Sequence, residues 1–326
     1  VLDSSEGAGL GLVILLLMLK KMGLSEDCFD VLSNGKETVA RIIIPLASTR
    51  VENLAILSSA IVNSINSLPQ FPENILRIQT LLADPSSDMG SIARQIAMDP
   101  ALTADILKLV NSAQYMLPKK VDNIFEAVKM VGLKKVRNLL YSYGTQKILG
   151  SGSDYKKKLW RHSYQVAYYA YSLVRNFRRN RTVIDDIQAA GILHDMGKII
   201  FSDIHPELLV KIRNFCAEKG LPASTFEELS AGMNHAEIGA LIAEKWNFPE
   251  NLVCAIRCHH DPLAAPPESR ALTEAVYLAN MFCEYENGAV DFNQFESAAL
   301  KTYNISTKDD LESLLRHFRD NFQNEV

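Results

Sequence analysis

The sequence predicts a mainly α-helical protein with two helical lobes, preceded by a small segment that combines a helix with a β-hairpin. From residue 51 onward, apolar side chains recur at the 3.6-residue period of an α-helix, as at Leu54, Leu57 and Ile61. The connections between the expected helices are short, which is typical of compact helical domains. A Gly-Ser-Gly-Ser run at residues 150–153 marks the expected break between the two lobes.

Length and composition suit this division. The 326 residues are 48% hydrophobic and 22% charged, which is enough for about two domains with a sizeable core. We therefore expect an N-terminal segment, two helical lobes and a polar helical tail without chemistry of its own. Their predicted bounds are residues 1–46, 51–150, 154–290 and 291–326.

Charge and cysteine content exclude several classes of partner. The formal net charge is −4, so no basic excess predicts a nucleic acid or a membrane surface as partner. The five cysteines form no C-x-x-C pair, which favours free thiols in the cytoplasm. The most apolar run, residues 10–19, has about half the length that spans a bilayer. Because Asp3 and Glu6 precede it, we also expect no secretory signal.

Residues 1–46 begin with a glycine-rich run at 7–12, followed by an expected helix at about 10–22 and two strand-like runs. Asn34-Gly35 between the strand-like runs predicts a hairpin turn. The glycine run resembles the final glycine box of the histidine-kinase-type ATPase domain, but that family's adenine site is not in the chain. We expect no ATP binding. The segment is interpreted as a remnant used for packing or dimerisation, as half of a functional domain, or as an unrelated hairpin.

The first lobe contains helical patterns but no cluster of acids, bases or nucleophiles. Asp99 and Pro100 predict a helix start, with Asp99 as N-cap. Asn111-Ser112 is interpreted as a pair that caps a helix or satisfies neighbouring backbone groups. We expect this lobe to be a scaffold or a partner surface. Its helices are predicted at residues 51–68, 75–82, 92–98, 100–110, 124–131 and 134–149.

Five of the seven histidines lie between residues 162 and 260, each at or near the end of a predicted helix. Asp195 follows one of them directly, and Lys198 comes three residues later. Imidazole and carboxylate both bind transition metals, and a carboxylate has two oxygens with which to bridge two ions. The alternative is a dry histidine cluster hydrogen-bonded to backbone. The five histidines are His162, His194, His235, His259 and His260; His205 and His317 are expected at the surface.

The order of these residues resembles that of the HD superfamily of metal-dependent phosphohydrolases, and the fuller set resembles the HD-GYP phosphodiesterases. Residues 60–280 more closely resemble the HDOD family, a bacterial signalling relative. The matching stretches are Leu68–Pro72, Asp99–Leu102, Val110–Tyr115, Ile124–Val128, Val131-Gly132 and Trp160–Ser163.

The resemblance implies a metal set of seven residues and shows two departures from the family pattern. Asn280, in the stretch Tyr277–Phe282, stands where the family carries an aspartate. The Gly-Tyr-Pro motif of the cyclic di-GMP enzymes is absent after the last histidine, where the sequence is Asp261-Pro262-Leu263. We expect Asp195 to bridge two ions and Asn280 to lie at the rim. The implied ligands are His162, His194, Asp195, His235, His259, His260 and Asn280.

Two functions follow from the resemblance. The first is a cytoplasmic bacterial regulatory module with a structural or sensory site for one or two divalent ions of iron, manganese, zinc or nickel. Its helical lobe would meet a signalling partner or a second copy of the chain. The alternative is a metal-dependent phosphohydrolase acting on a nucleotide or another phosphate ester. Asp195 would then be catalytic through the metal, and Lys198 would stabilise the developing charge of the phosphoryl group.

Overall fold

A computed structural model gives the fold of the greater part of the chain. The predicted helix at residues 10–22 and the glycine run at 7–12 lie outside the residues it describes. The described residues are 29–33, 38–43, 52–111, 119–178, 181–204, 206–207, 209–210, 214, 216 and 223–323.

The N-terminal segment contains the predicted β-hairpin. Strands β1 (Phe29–Ser33) and β2 (Thr38–Ile42) pair antiparallel. Phe29 lies opposite Ile42 and Ser33 opposite Thr38, so the pairing confirms the hairpin. The residues that join the two strands lie outside the described part of the chain.

The first group of helices follows the predicted order, and its helix starts show the expected capping chemistry. Asp88 and Asn123 each accept a hydrogen bond from a backbone N–H in the first turn of the helix that follows. Asp99 Oδ1 accepts from Leu102 N at 3.0 Å, which confirms it as an N-cap. The helices are α1 (Glu52–Ser67), α2 (Glu73–Ala83), α3 (Met89–Ala97), α4 (Pro100–Val110), α5 (Ile124–Val131) and α6 (Leu133–Leu149).

Asn111 satisfies backbone groups, as its position after a helix predicted. Its Nδ2 donates to Leu107 O at 2.8 Å and to Val121 O at 2.6 Å. Its Oδ1 accepts from Val121 N at 2.8 Å. The side chain therefore joins the end of α4 to the segment that enters α5. Ser112 lies outside the described residues.

The second group of helices carries the candidate site. A π-helical turn (Val174–Arg178) continues the first of them, and two 3₁₀ turns (Pro262–Ala264 and Phe292–Gln294) lie further on. The helices are α7 (Asp154–Leu173), α8 (Arg181–Leu193), α9 (Gly197–Ile204), α10 (Ala223–Ala231), α11 (His235–Lys245), α12 (Glu250–Cys258), α13 (Pro267–Glu286), α14 (Ser297–Thr302) and α15 (Lys308–Gln323).

From residue 52 onward, the described residues include no strand, which confirms the mainly α-helical fold class. Within the same residues, no helix combines the length and the apolar character that crossing a membrane needs. The chain divides into two compact units. One consists of residues 1–66 and 204–234, and the other of residues 67–203 and 235–326. The lobe boundary expected near residue 150 stays a prediction.

Small residues let the helices of the larger unit approach one another closely. Gly191 of α8 lies against α7, where an added Cβ would be 2.8 Å from Ala167 N. Gly197, the first residue of α9, lies against the backbone of α11, where an added Cβ would be 2.7 Å from Gly239 N. Such approaches exclude larger side chains. They bring the ends of α8, α9 and α11 together.

Candidate metal centre

The seven predicted metal ligands lie on or directly after five helices of the larger unit. His162 lies in the third turn of α7, and Asn280 lies in the second half of α13. His194 and Asp195 follow the last residue of α8 directly. The other three histidines come from two further helices: His235 opens α11, while His259 and His260 follow α12.

The two carboxylate oxygens of Asp195 face different histidines. Oδ2 lies 3.5 Å from His162 Nε2 and 3.4 Å from His194 Nε2. Oδ1 lies 3.2 Å from His235 Nε2 and 3.6 Å from His259 Nε2. Asp195 therefore stands between two groups of ring nitrogens.

The second group is completed by His260. Its Nε2 lies 2.9 Å from His235 Nε2, and His235 Nε2 lies 3.3 Å from His259 Nε2. Within each of two sets, one donor atom per residue lies within 4.8 Å of the others. The sets are His162, His194 and Asp195, and His235, His259 and His260.

Some side chains of the centre are fully buried and others are partly exposed. The side chains of His194, Asp195 and His259 are fully buried. His162 and Lys198 each expose 19% of their side chains, and His260 is exposed. The partly exposed members of the site are thus two imidazoles and an ammonium.

Backbone carbonyls orient two of the buried rings. His194 Nδ1 donates to Gly191 O at 2.8 Å, and His259 Nδ1 donates to Ile256 O at 2.7 Å. A carbonyl oxygen only accepts, so Nδ1 carries the hydrogen, and in the neutral ring Nε2 carries a lone pair. This arrangement is usual for metal-binding histidines. It turns both Nε2 lone pairs toward Asp195.

Burial and charge set the protonation states around the carboxylate. Burial lowers the pKa of His162 to about 3 and that of His259 to about 4, although Asp195 opposes both shifts. Burial also raises the pKa of Asp195, but the His194 ring and the Lys198 ammonium outweigh it and hold that pKa well below its usual range. Lys198 Nζ lies 2.7 Å from Asp195 Oδ2. At neutral pH the site therefore combines neutral rings at His162 and His259 with an ionised carboxylate at Asp195.

The metal-ligating atoms of the centre are better satisfied by a bound cation than by hydrogen bonds to one another. His194 Nε2 and Asp195 Oδ1 are buried without a hydrogen-bond partner among the described residues. Such groups are costly unless something binds them. Two donors at about 2.1 Å from one ion lie roughly 3.0–3.4 Å apart. The separations of 3.5 and 3.4 Å on Oδ2 and of 3.2 and 3.6 Å on Oδ1 come close to that range. The residues present fit a transition metal.

Asn280 does not lie at the rim, where we expected it. It is 3% exposed, and its Oδ1 lies 3.1 Å from His162 Nε2. Its helix α13 is buried on most sides, with Val276 and Ala279 fully covered, so residue 280 faces the interior. The amide oxygen is a neutral donor beside the first histidine.

Two features of the site could not be found from the sequence. The carbonyls of Gly191 and Ile256 that orient the rings have no sequence signal, because every residue carries one. The ion pair between Lys198 and Asp195 is compatible with their three-residue spacing, but its length only appears in the fold. Of the remaining histidines, His317 is exposed on α15, as expected, and His205 lies outside the described residues.

Comparisons with known proteins give a single family. The profile of the HDOD domain matches residues 68–262. An uncharacterized protein of Treponema pallidum (strain Nichols) is 36% identical over 325 residues, which cover 100% of this chain and 63% of that protein. The chain thus spans less than two thirds of the length of this relative. The comparisons give no support to the resemblance of residues 1–46 to an ATPase domain.

Solved structures share the fold. A crystal structure of an HDOD domain protein of unknown function from Geobacter sulfurreducens has a TM-score of 0.64 at 22% identity, covering 83% of this chain and 95% of that one. A protein of Shewanella amazonensis SB2B, provisionally named a phosphohydrolase, has a TM-score of 0.61 at 23% identity, covering 80% and 94%. A second one from the same strain, provisionally named a metal-dependent phosphohydrolase, has a TM-score of 0.55 at 17% identity, covering 83% and 99%. At these identities the likeness concerns the fold alone.

Proposed function

This chain belongs to the HDOD family, and we propose that it is a regulatory HDOD protein whose histidine and aspartate centre binds one or two divalent transition metal ions. The observation that carries the proposal is the position of Asp195. Its two oxygens face two separate sets of imidazole nitrogens at 3.2–3.6 Å. A fully buried carboxylate between lone pairs is stabilised by positive charge.

Each oxygen of Asp195 faces the residues that would hold one of two ions. The first ion would take Asp195 Oδ2 with His162 and His194, and Asn280 would offer its amide oxygen. The second would take Asp195 Oδ1 with His235, His259 and His260. Mixed imidazole and carboxylate donors favour iron, manganese, zinc or nickel over calcium. Because Asn280 is neutral, we expect the first position to be the weaker one.

The regulatory part of the proposal concerns the helices that precede the centre. The centre contains several fully buried side chains, whereas exposed apolar side chains lie on α5 and directly after α3. Phe125 on α5 is 45% exposed, and Met98, which follows α3, is 76% exposed. These two side chains are our candidates for contact with a signalling partner or with a second copy of the chain. The free cysteines of the described residues are compatible with the cytoplasm.

Metal analysis of the purified protein tests the proposal. We expect one or two equivalents of transition metal in the wild type and less than about a tenth of that in Asp195→Ala. His317→Ala removes an exposed histidine outside the centre and should keep the wild-type content. Circular dichroism would show that both variants stay helical. Metal-free wild-type protein that also takes up no manganese, iron, zinc or nickel would refute the proposal.

A metal-dependent phosphohydrolase is the second candidate, and the partial exposure of Lys198 favours it. Lys198, with 19% of its side chain exposed, places its ammonium beside Asp195, where it could meet a phosphate oxygen. When bound, a pair of ions would activate water and polarise a phosphate ester. His162 and His260 would border the bound ester on the chain's side.

Turnover separates the two candidates. Protein loaded with manganese or iron would be assayed against bis(p-nitrophenyl) phosphate and a panel of nucleotides. Hydrolysis that Asp195→Ala abolishes and Lys198→Ala slows about 10²-fold or more would favour the enzyme. A metal-loaded protein without turnover favours the regulatory module.

A further inference from the structure

Beyond the metal centre, a second buried carboxylate joins three helices. Asp186 of α8 is 4% exposed. Its Oδ1 accepts a hydrogen bond from Asn138 Nδ2 of α6 at 2.7 Å. Its Oδ2 accepts from Asn251 Nδ2 of α12 at 2.7 Å and lies 3.0 Å from Lys134 Nζ of α6. All three partners donate, and together they replace the water that an ionised carboxylate loses on burial.

Asp186 and Asn251, which contact each other, lie at equal sequence distances from two histidines of the metal centre. Asp186 precedes His194 by eight residues, and Asn251 precedes His259 by eight residues. Each interval is helical up to its last residue, so each spans about 12 Å along its helix axis. At the far end, the rings of His194 and His259 meet with centroids 4.9 Å apart and planes at 90°.

The segments 186–194 and 251–259 have equal length and contact each other at both ends. They therefore define the register between α8 and α12. A slip of one residue along either helix would move its histidine by about 1.5 Å. Metal–ligand distances tolerate only about 0.2 Å. The register of the two helices therefore has to be held more tightly than apolar packing alone requires. A directional bond between a carboxylate and an amide at the opposite end supplies such a constraint.

We propose that Asp186 is a positioning residue for the metal centre. Its bond to Asn251 holds α8 and α12 in the register that brings the donors of His194, Asp195 and His259 together. Lys134 and Asn138 hold the same carboxylate from α6, so the position of α6 affects the spacing of the donors. This inference rests on the proposed metal binding and assigns the residue that controls its geometry.

Cobalt substitution tests this role, because the visible absorption of Co²⁺ reports coordination geometry directly. In Asp186→Asn, an NH₂ group replaces one of the two oxygens. It meets Asn138 Nδ2 if it takes the place of Oδ1, and both Asn251 Nδ2 and Lys134 Nζ if it takes the place of Oδ2. We expect Co²⁺ affinity to fall about 10-fold and the absorption bands to shift. Asp185→Asn makes the same charge change one residue away and should leave both unchanged. The exchanged pair Asp186→Asn with Asn251→Asp restores an amide–carboxylate contact and should recover most of the affinity.

A measurement without metal separates this proposal from the metal proposal itself. In EDTA, amide exchange at residues 194–198 and 258–261 should rise in Asp186→Asn and in the milder Asn251→Ala, but not in Asp185→Asn. Unchanged exchange at both segments would overturn the positioning role. So would a Co²⁺ spectrum and affinity equal to those of the wild type, or no recovery in the exchanged pair. If the wild type bound no Co²⁺, the metal-binding proposal would be wrong. The amide exchange in EDTA would then decide by itself whether Asp186 positions these segments.

Discussion

A single short carboxylate suits the place that Asp195 occupies. Its two oxygens reach two sets of ring nitrogens from one Cα, and neither oxygen is exposed. An amide at this position would turn an NH₂ group toward one set and leave only one acceptor. A neutral apolar residue would leave several lone pairs facing each other in a buried site. At the residue scale, the charge of this one side chain is what makes a cation favourable.

Asn280→Asp is predicted to make stability depend more strongly on metal. The residue is 3% exposed and lies 3.1 Å from His162 Nε2. A second buried carboxylate near Asp195 should lower the melting temperature of metal-free protein, because like charges repel and burial disfavours ionisation. With manganese present, the new charge should tighten the first position about tenfold, or ~1.4 kcal/mol.

Thermal melts with EDTA and with manganese measure this change. Asn287→Asp, at the exposed C-terminal cap of the same helix, is the control and should show the wild-type metal shift. An equal metal shift in Asn280→Asp and Asn287→Asp would contradict a ligand role for residue 280.

At the scale of elements, two helix ends use the same device. The last carbonyls of a helix have no partner within it. Gly191 O near the end of α8 accepts from His194 three residues on, and Ile256 O near the end of α12 accepts from His259 in the same way. Each ring thereby satisfies an orphan carbonyl and presents Nε2 to Asp195. Histidine directly after a helix is thus both a cap and an oriented donor.

Gly197→Ala is predicted to disturb the second set of donors. Its Cβ would overlap the carbonyl oxygen of His235 and would lie 2.7 Å from Gly239 N. Both obstacles are backbone atoms, so α9 and α11 must separate, at a cost of about 1–3 kcal/mol. His235 should move with its helix, and metal content should fall by about one equivalent.

Urea unfolding and metal analysis check this outcome together. Gly152→Ala is the matched control, since an added Cβ there meets nothing within 4 Å. Wild-type stability and metal content in Gly197→Ala would show that the close approach of α9 to α11 does not position His235.

At the scale of the whole molecule, the buried histidines of the centre make the stability of the fold sensitive to acid. His162 is neutral because burial lowers its pKa to about 3, despite the nearby charge of Asp195 and with His194 and Lys198 adding to the shift. His259 is neutral because burial lowers its pKa to about 4, with His194 and His235 close by. Unfolding returns both rings to water, where the histidine pKa is about 6.5.

The metal-free protein should therefore lose stability as pH falls below about 6.5. In that window the unfolded chain binds protons that the folded protein does not, so the free energy of unfolding decreases. The loss should continue toward pH 4 for His259 and pH 3 for His162. Each ring contributes up to about 1.4 kcal/mol per pH unit. The lowered pKa of Asp195 acts in the same direction, at still lower pH.

Urea unfolding in EDTA at about pH 7 and about pH 5.5 measures this slope. In His259→Gln, the number of protons taken up on unfolding, which sets this slope, should fall by about one. His317→Gln replaces an exposed histidine and is the control, so it should keep the wild-type slope. A free energy of unfolding that stayed constant or rose on acidification would show that the rings are not buried in their neutral form.

Sequence alone was enough for most helices of the described part of the chain, for the hairpin and for the HDOD family, because helical period, caps and turn residues act over a few neighbouring positions. It also identified the histidines of the centre, since their order matches a known pattern. It misplaced Asn280, whose burial depends on how α13 packs. Only the folded chain shows that Asp195 faces two sets of rings and that Asp186 bonds to Asn251. Apart from the neighbouring pair His194 and Asp195, those contacts join residues 33 to 65 positions apart in the sequence. Helix packing brings these residues together, and no pattern of neighbouring residues in the sequence predicts that packing.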